Sequence, residues 1–178
     1  MKKIRVLLLT ILLTPFLAGL YGILHDQLTY TICHEYFTKF KFIQFHVYSA
    51  HIPERVGAII VGWGATWWTG IFIGMGQGLT GLIHSDSKPM FKAIYKATLI
   101  TLYTALLAGL VGFIFGKIYY SYHEVTWIHS SDIVDRQNIA VVGLIHLFSY
   151  MGGFIGLITG IIYQVREKRR TKPILDSI

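Results

Sequence analysis

The sequence predicts an all-α membrane fold, a bundle of four transmembrane helices. Three observations lead there. Hydrophobic residues make up 53% of the 178 residues and charged residues only 14%, against about 25% charged in a soluble domain. Four apolar runs are each long enough to cross roughly 30 Å of hydrocarbon at about 1.5 Å per residue. No Ser- or Pro-rich linker and no low-complexity tract separates them, so residues 1–178 read as a single integral membrane domain.

The first span covers about 6–24 and contains Thr10, Thr14 and Pro15. Lys2-Lys3-Ile4-Arg5 before it has the charge of a secretory leader. The apolar run from Val6 to Leu24 is longer than a leader core, however, and Ala18-Gly19 makes a poor cleavage site, so a retained helix is expected. The second span, about 56–83, is rich in glycine. The third covers about 93–116. The fourth covers about 139–163 and alone holds an ionisable residue well inside it, His146.

Four spans put both termini on one side. That side carries Lys2, Lys3, Arg5, Lys88, Lys92, Lys96, Arg166, Lys168, Arg169, Arg170 and Lys172, while Lys39, Lys41, Arg55, Lys117 and Arg136 fall on the other. Because short cytoplasmic loops collect Lys and Arg, both termini are expected in the cytoplasm of a bacterial inner membrane. The outward segments 25–55 and 117–138, with the span below them, then hold every histidine except His84. The basic run 166–170 reads as a topology anchor against anionic headgroups. It is too short and too close to the membrane for nucleic-acid binding.

Lipid gives helices no hydrophobic reason to associate, so small residues that allow close approach take over that role. Gly70, Gly74 and Gly78 are spaced by four on the second helix, Gly112 and Gly116 on the third, and Gly152, Gly156 and Gly160 on the fourth. On the fourth helix, Gly143, His146, Ser149, Tyr150, Gly153 and Gly160 share one face. Val141, Ile145, Phe148, Ile155, Ile158 and Ile162 occupy the other, expected toward lipid. His146 is thereby expected to face the bundle interior, roughly 10 Å below the helix start. In the first outward loop, residues 39–48 alternate at period two, which predicts a short interfacial strand or hairpin.

The two halves of the chain are similar. Tyr21-Gly22-Ile23-Leu24-His25-Asp26 ends the first helix, and Tyr120-Ser121-Tyr122-His123-Glu124 ends the third. Glu54-Arg55 introduces the second helix as Asp135-Arg136 introduces the fourth. A tandem two-helix repeat accounts for this, with extra residues in the first outward loop.

Outward His and carboxylate side chains are the candidate ligands: His25, Asp26, His34, Glu35, His46, His51, Glu54, His123, Glu124, His129, Asp132 and Asp135, with His146 below them. Imidazole and carboxylate together suit a transition metal ion. The expected metal ligands are His25, Asp26, Glu35, His123, Glu124 and His146. For His46 and His51 a solvated strand edge is expected instead. His129, Asp132 and Asp135 would share a face if that segment were helical. The lone Cys33 can form no internal disulfide and reads as a small buried hydrophobe. No HExxH, G-x-S-x-G or P-loop pattern is present.

The run Tyr21-Gly22-Ile23-Leu24-His25-Asp26-Gln27-Leu28-Thr29-Tyr30 continues into Glu35-Tyr36-Phe37-Thr38-Lys39-Phe40-Lys41-Phe42-Ile43-Gln44-Phe45. It resembles the signature YGxxHDQxTYTxSPEYFTKFKFxQF of a family of small bacterial four-span membrane proteins. Arg55-Val56-Gly57 and Ala65-Thr66-Trp67-Trp68 are also similar. The resemblance carries no activity with it. It implies emphasis on His25, Asp26, Gln27, Thr29, Tyr30 and Glu35, which match the motif. With Tyr150 from the inward face of the fourth helix, these are the expected ligand-binding residues. Cys33-His34 stands where the signature has Ser-Pro, which argues against His34 as a required ligand and leaves Glu35 without a proline-fixed turn.

The functional expectation is binding or transport of a cation or small polar solute through an outward-facing His/carboxylate vestibule. A membrane metal-dependent enzyme and a non-catalytic accessory subunit are the alternatives. Four helices alone leave a narrow path, so a homodimer or a partner membrane protein is expected beside the lipids.

Overall fold

The computed structural model describes residues 2–47, 52–128 and 132–171. Four helices are long and apolar enough to cross a membrane. They are α1 (Lys3–Ile32), α4 (Glu54–Gly81), α5 (Ser87–Tyr122) and α6 (Arg136–Thr171). Between α1 and α4 lie α2 (His34–Tyr36), a π-helical turn (Phe37–Lys41) and α3 (Phe42–Gln44). Among the described residues there is no strand.

The long helices run farther than their apolar cores, because hydropathy marks only what touches lipid. Glu54 begins α4 directly after Pro53, where an acidic first-turn residue meets the positive helix end. Pro89 in the first turn of α5 removes an N–H that has no helical acceptor in any case. Asp135 caps α6, its carboxylate accepting the Asn138 N–H at 3.1 Å.

The helices pack as two antiparallel pairs, α1 with α4 and α5 with α6, with few contacts between the pairs. Glycine makes each pairing close. A Cβ at Gly62 would lie 2.4 Å from the Gly22 carbonyl oxygen, and one at Gly70 would lie 2.4 Å from that of Thr14. Across α5 and α6, Gly112 meets Leu144, Gly152 meets Thr104 and Ala108, and Gly156 meets Thr101. Gly74, Gly78, Gly116 and Gly160 also lie against the partner helix, so all three glycine ladders sit in these seams.

The period-two reading of residues 39–48 is corrected over residues 39–44, which are helical, while Tyr48 lies outside the described residues. The Phe42 N–H bonds the Phe37 carbonyl, five residues back. That wide turn puts Phe37 and Phe42 on one side, where both are buried with Val47, Ala58 and Val61. The alternating aromatics are thus met by a π-turn folded onto α4 rather than by an extended chain. His46, with φ 54°, closes the segment.

A second correction concerns the lipid face of α6. Ile155, Ile158 and Ile162 are exposed, but Val141 and Ile145 are buried. They pack with Cys33, Ile128, Ile133 and Ile139, because the α5–α6 connection folds over the start of α6. Cys33 is a buried free thiol there, and burial raises its pKa.

Candidate cation site

α1 and α6 meet at the end of the bundle opposite the termini. There His25, Asp26 and His146 offer ligand atoms that all lie within 4.8 Å of one another. His25 and Asp26 sit two turns before the end of α1, and His146 sits ten residues into α6. Asp26 and His146 are buried and His25 is half-buried. Asp26 Oδ1 lies 3.1 Å from His146 Nε2 and 3.3 Å from His25 Nδ1. The two imidazoles meet edge to face, with centroids 4.7 Å apart at 82°.

The hydrogen bonds set the proton positions. His146 Nδ1 lies 2.9 Å from the Val142 carbonyl, which can only accept, so Nδ1 carries a proton. His146 Nε2 then faces a carboxylate oxygen. Two lone pairs cannot face each other at that distance, so a positive centre must lie between them. At the observed separation a proton serves. A transition metal ion also fits, since bonds of roughly 2.0–2.1 Å in a tetrahedron space the ligand atoms about 3.3 Å apart. The outer bond to Val142 is the kind of support that fixes the tautomer of a metal-binding histidine.

Two aromatic rings roof the cluster. Tyr36 stacks on His146 at 5.0 Å and 27°, and the fully buried Phe37 ring lies 6.3 Å from it. Burial drives the Tyr36 phenol pKa up, so its ring stays neutral above the imidazole. On the other side, His25 Nε2 lies 3.1 Å from Ser149 Oγ. The Tyr21 hydroxyl is buried beside Ser149 and approaches it without well-formed hydrogen-bond geometry. Next to these groups, toward the termini, a cavity of about 270 Å³ lies in the cleft between the two helix pairs.

The other expected ligands lie elsewhere. Glu35 accepts the N–H groups of Val134 and Asp135 at 3.2 and 2.7 Å, which ties the first connection to the start of α6. His123 is exposed, stacked on Tyr119 at 4.2 Å with Nδ1 2.9 Å from the Tyr119 carbonyl. Glu124 is exposed beside it, around a shallow surface depression. The structure therefore does not bring Glu35, His123 or Glu124 into the cluster.

Gln27 donates to the Arg55 carbonyl at 2.9 Å, Tyr30 bonds Glu54, and the Arg55 guanidinium lies over the Tyr30 ring. Those residues lock α1 to α4. Thr29 is buried and donates back to the His25 carbonyl at 3.1 Å. Tyr150 stands half-exposed at the cavity, its hydroxyl 3.4 Å from the Ala65 carbonyl. His34 and His46 are exposed, and Asp132 pairs with Lys39 at 2.8 Å. Residues 132–135 precede the helix, so Asp132 and Asp135 share no helical face. His51 and His129 lie outside the described residues.

Sequence reasoning missed Tyr21, Tyr36 and Phe37 as site residues. It also missed the buried network of Gln77 with Thr98, Thr101 and Gln164 in the other half of the bundle. Tyr21 carried a signal, one turn before His25. The two glutamines stood out as polar breaks in apolar runs, but they lacked charge. Comparison with protein-family models, with curated proteins and with solved structures finds no match.

Proposed function

We propose that this chain is a membrane cation-binding protein whose His25–Asp26–His146 cluster holds either a proton or a divalent transition-metal ion. One observation carries the reading. The Val142 carbonyl fixes the proton on His146 Nδ1 and so obliges a positive centre between His146 Nε2 and Asp26. Ionisable groups at membrane depth are costly and typically mark ion or proton pathways. Two ligands come from α1 and one from α6, so binding is coupled to the fit between the helix pairs. Exchange of proton for metal at such a seam is the elementary step of a transporter. Packing within each half of the chain is the arrangement that a tandem two-helix repeat needs. In this reading the termini face the cytoplasm of a bacterial inner membrane, the chain is kin to the signature family, and transport takes place in a homodimer or with a partner membrane protein. A membrane metal enzyme is the second reading, favoured by the cavity that adjoins the cluster.

Cobalt titration of the full chain in detergent tests the metal. Visible bands of four-coordinate Co²⁺ are expected at one ion per chain. They are expected to be lost in His146→Ala and Asp26→Asn and kept in His123→Ala. No metal uptake by wild type at neutral pH, or equal uptake by all four proteins, overturns the metal reading and leaves the proton as the positive centre.

A further inference from the structure

The cavity next to the cluster is unlike a water-filled vestibule. Its long walls are apolar, with Ile73 from α4, Leu102 from α5 and Leu157 from α6. Its rim is formed by Trp68 and Phe72 of α4 and Tyr150 and Phe154 of α6, all exposed on the surface that lipid covers. The mouth thus opens sideways between the helix pairs, into hydrocarbon. Its only strongly polar end is the cluster, with Ser149 and the Tyr21 hydroxyl. Among the described residues, that hydroxyl has only the poorly formed approach to Ser149, which is costly at membrane depth. Tyr150 and Thr101 donate to protein oxygens or accept from Gln77, so Tyr21 is the least well satisfied donor at this end.

We infer that the cavity is a binding site for a single-chain amphiphile headed by an acceptor oxygen, a carbonyl or a carboxylate. The head accepts the Tyr21 proton beside His25 and Ser149, and the chain lies along Ile73, Leu102 and Leu157. Size decides for one chain. About 270 Å³ falls just below the roughly 300 Å³ at which small-molecule sites usually begin, too little for a two-chain lipid. Lateral opening decides for a ligand dissolved in the bilayer. A poorly satisfied hydroxyl donor decides for an acceptor head over a cationic one. No metal need be present in the cluster for this binding. Gly153 lies on the cavity wall, and a Cβ there would meet nothing within 4 Å, so a larger side chain at that position enters the cavity without disturbing a helix seam.

The test is photolabelling of the full chain in phosphatidylcholine vesicles with a palmitic acid that carries a diazirine on its chain. Peptide mapping is expected to find label on Ile73, Leu102 or Leu157 above that on the lipid-facing Leu12 and Leu13. Gly153→Leu is expected to abolish the excess. Tyr21→Phe is expected to weaken it about fivefold, as befits one hydrogen bond. Unlabelled palmitic acid and a long-chain methyl ketone distinguish the carboxylate from the neutral carbonyl by which of them competes. Alkyltrimethylammonium is expected not to compete. Label spread evenly over lipid-facing residues, or label indifferent to Gly153→Leu, overturns the inference. Cobalt titration of Gly153→Leu separates the two claims: bands retained with label lost leave the cation site standing on its own geometry.

Discussion

At the residue scale, one carboxylate holds two imidazoles. Asp26 Oδ1 faces His25 and His146 at once, so Asp26→Ala leaves two buried ring nitrogens unsatisfied. The expected loss is about 1–3 kcal/mol, read from unfolding in micelles. Combining it with His146→Phe is expected to cost clearly less than the sum of the two single changes, since both remove one interaction. Strict additivity would show that the cluster is not a unit. His84, in the connection between α4 and α5, carries a pH prediction. It is buried, and among the described residues its Nε2 has no hydrogen-bond partner. Burial lowers its pKa from 6.5, Lys168 and Lys3 push the same way, and Glu167 opposes them. A lowered pKa means that the folded protein binds fewer protons than the unfolded chain. Its stability is therefore intact above pH 6.5 and lost as pH falls from there toward the folded value. Wild type is expected to melt lower at pH 5.5 than at pH 7.5, and His84→Leu to lose less across that interval. Of these groups, His25, Asp26 and His146 were legible as chemistry in the sequence. Their meeting was not, because Asp26 and His146 are 120 residues apart in the chain.

At the element scale, glycine decides which helix faces touch. Gly22 and Gly62 bring the α1 and α4 backbones into contact, and a Cβ at either would fall on the other's carbonyl oxygen. Gly62→Ala is expected to destabilise the protein by about 1–3 kcal/mol through overpacking. Gly153→Ala is expected to be neutral or stabilising by roughly 0.5–1 kcal/mol, since alanine suits a helix better and has room there. Equal melting temperatures for the two variants would contradict the assigned seams. Ladders spaced by four were readable because one helical turn repeats that spacing on one face. The π-turn over residues 37–41 was not, since a local alternation of aromatics fits a strand and a wide helical turn alike. Its choice depends on Ala58 and Val61 of α4, which receive Phe37 and Phe42.

At the scale of the whole molecule, the termini share one end with the α4–α5 connection, where Lys3 donates to the Leu82 carbonyl at 2.6 Å. The proposed cytoplasmic placement of that end is tested by labelling with a membrane-impermeant maleimide in a Cys33→Ala background. Val134→Cys, 90% exposed, is expected to react in intact cells, and Ser85→Cys only after lysis. The reverse pattern would invert the topology. Four spans and their small-residue faces followed from the chain alone, because hydropathy, length and spacing by four are local quantities that lipid reads directly. Which polar residues gather could be settled only by the fold. Glu35, His123 and Glu124 are chemically as fit to bind a metal as His25 and His146, but a ligand set depends on distance across the bundle. That distance is set by backbone contact at glycines and by the aromatic roof of Tyr36 and Phe37, interactions that join segments far apart in the chain.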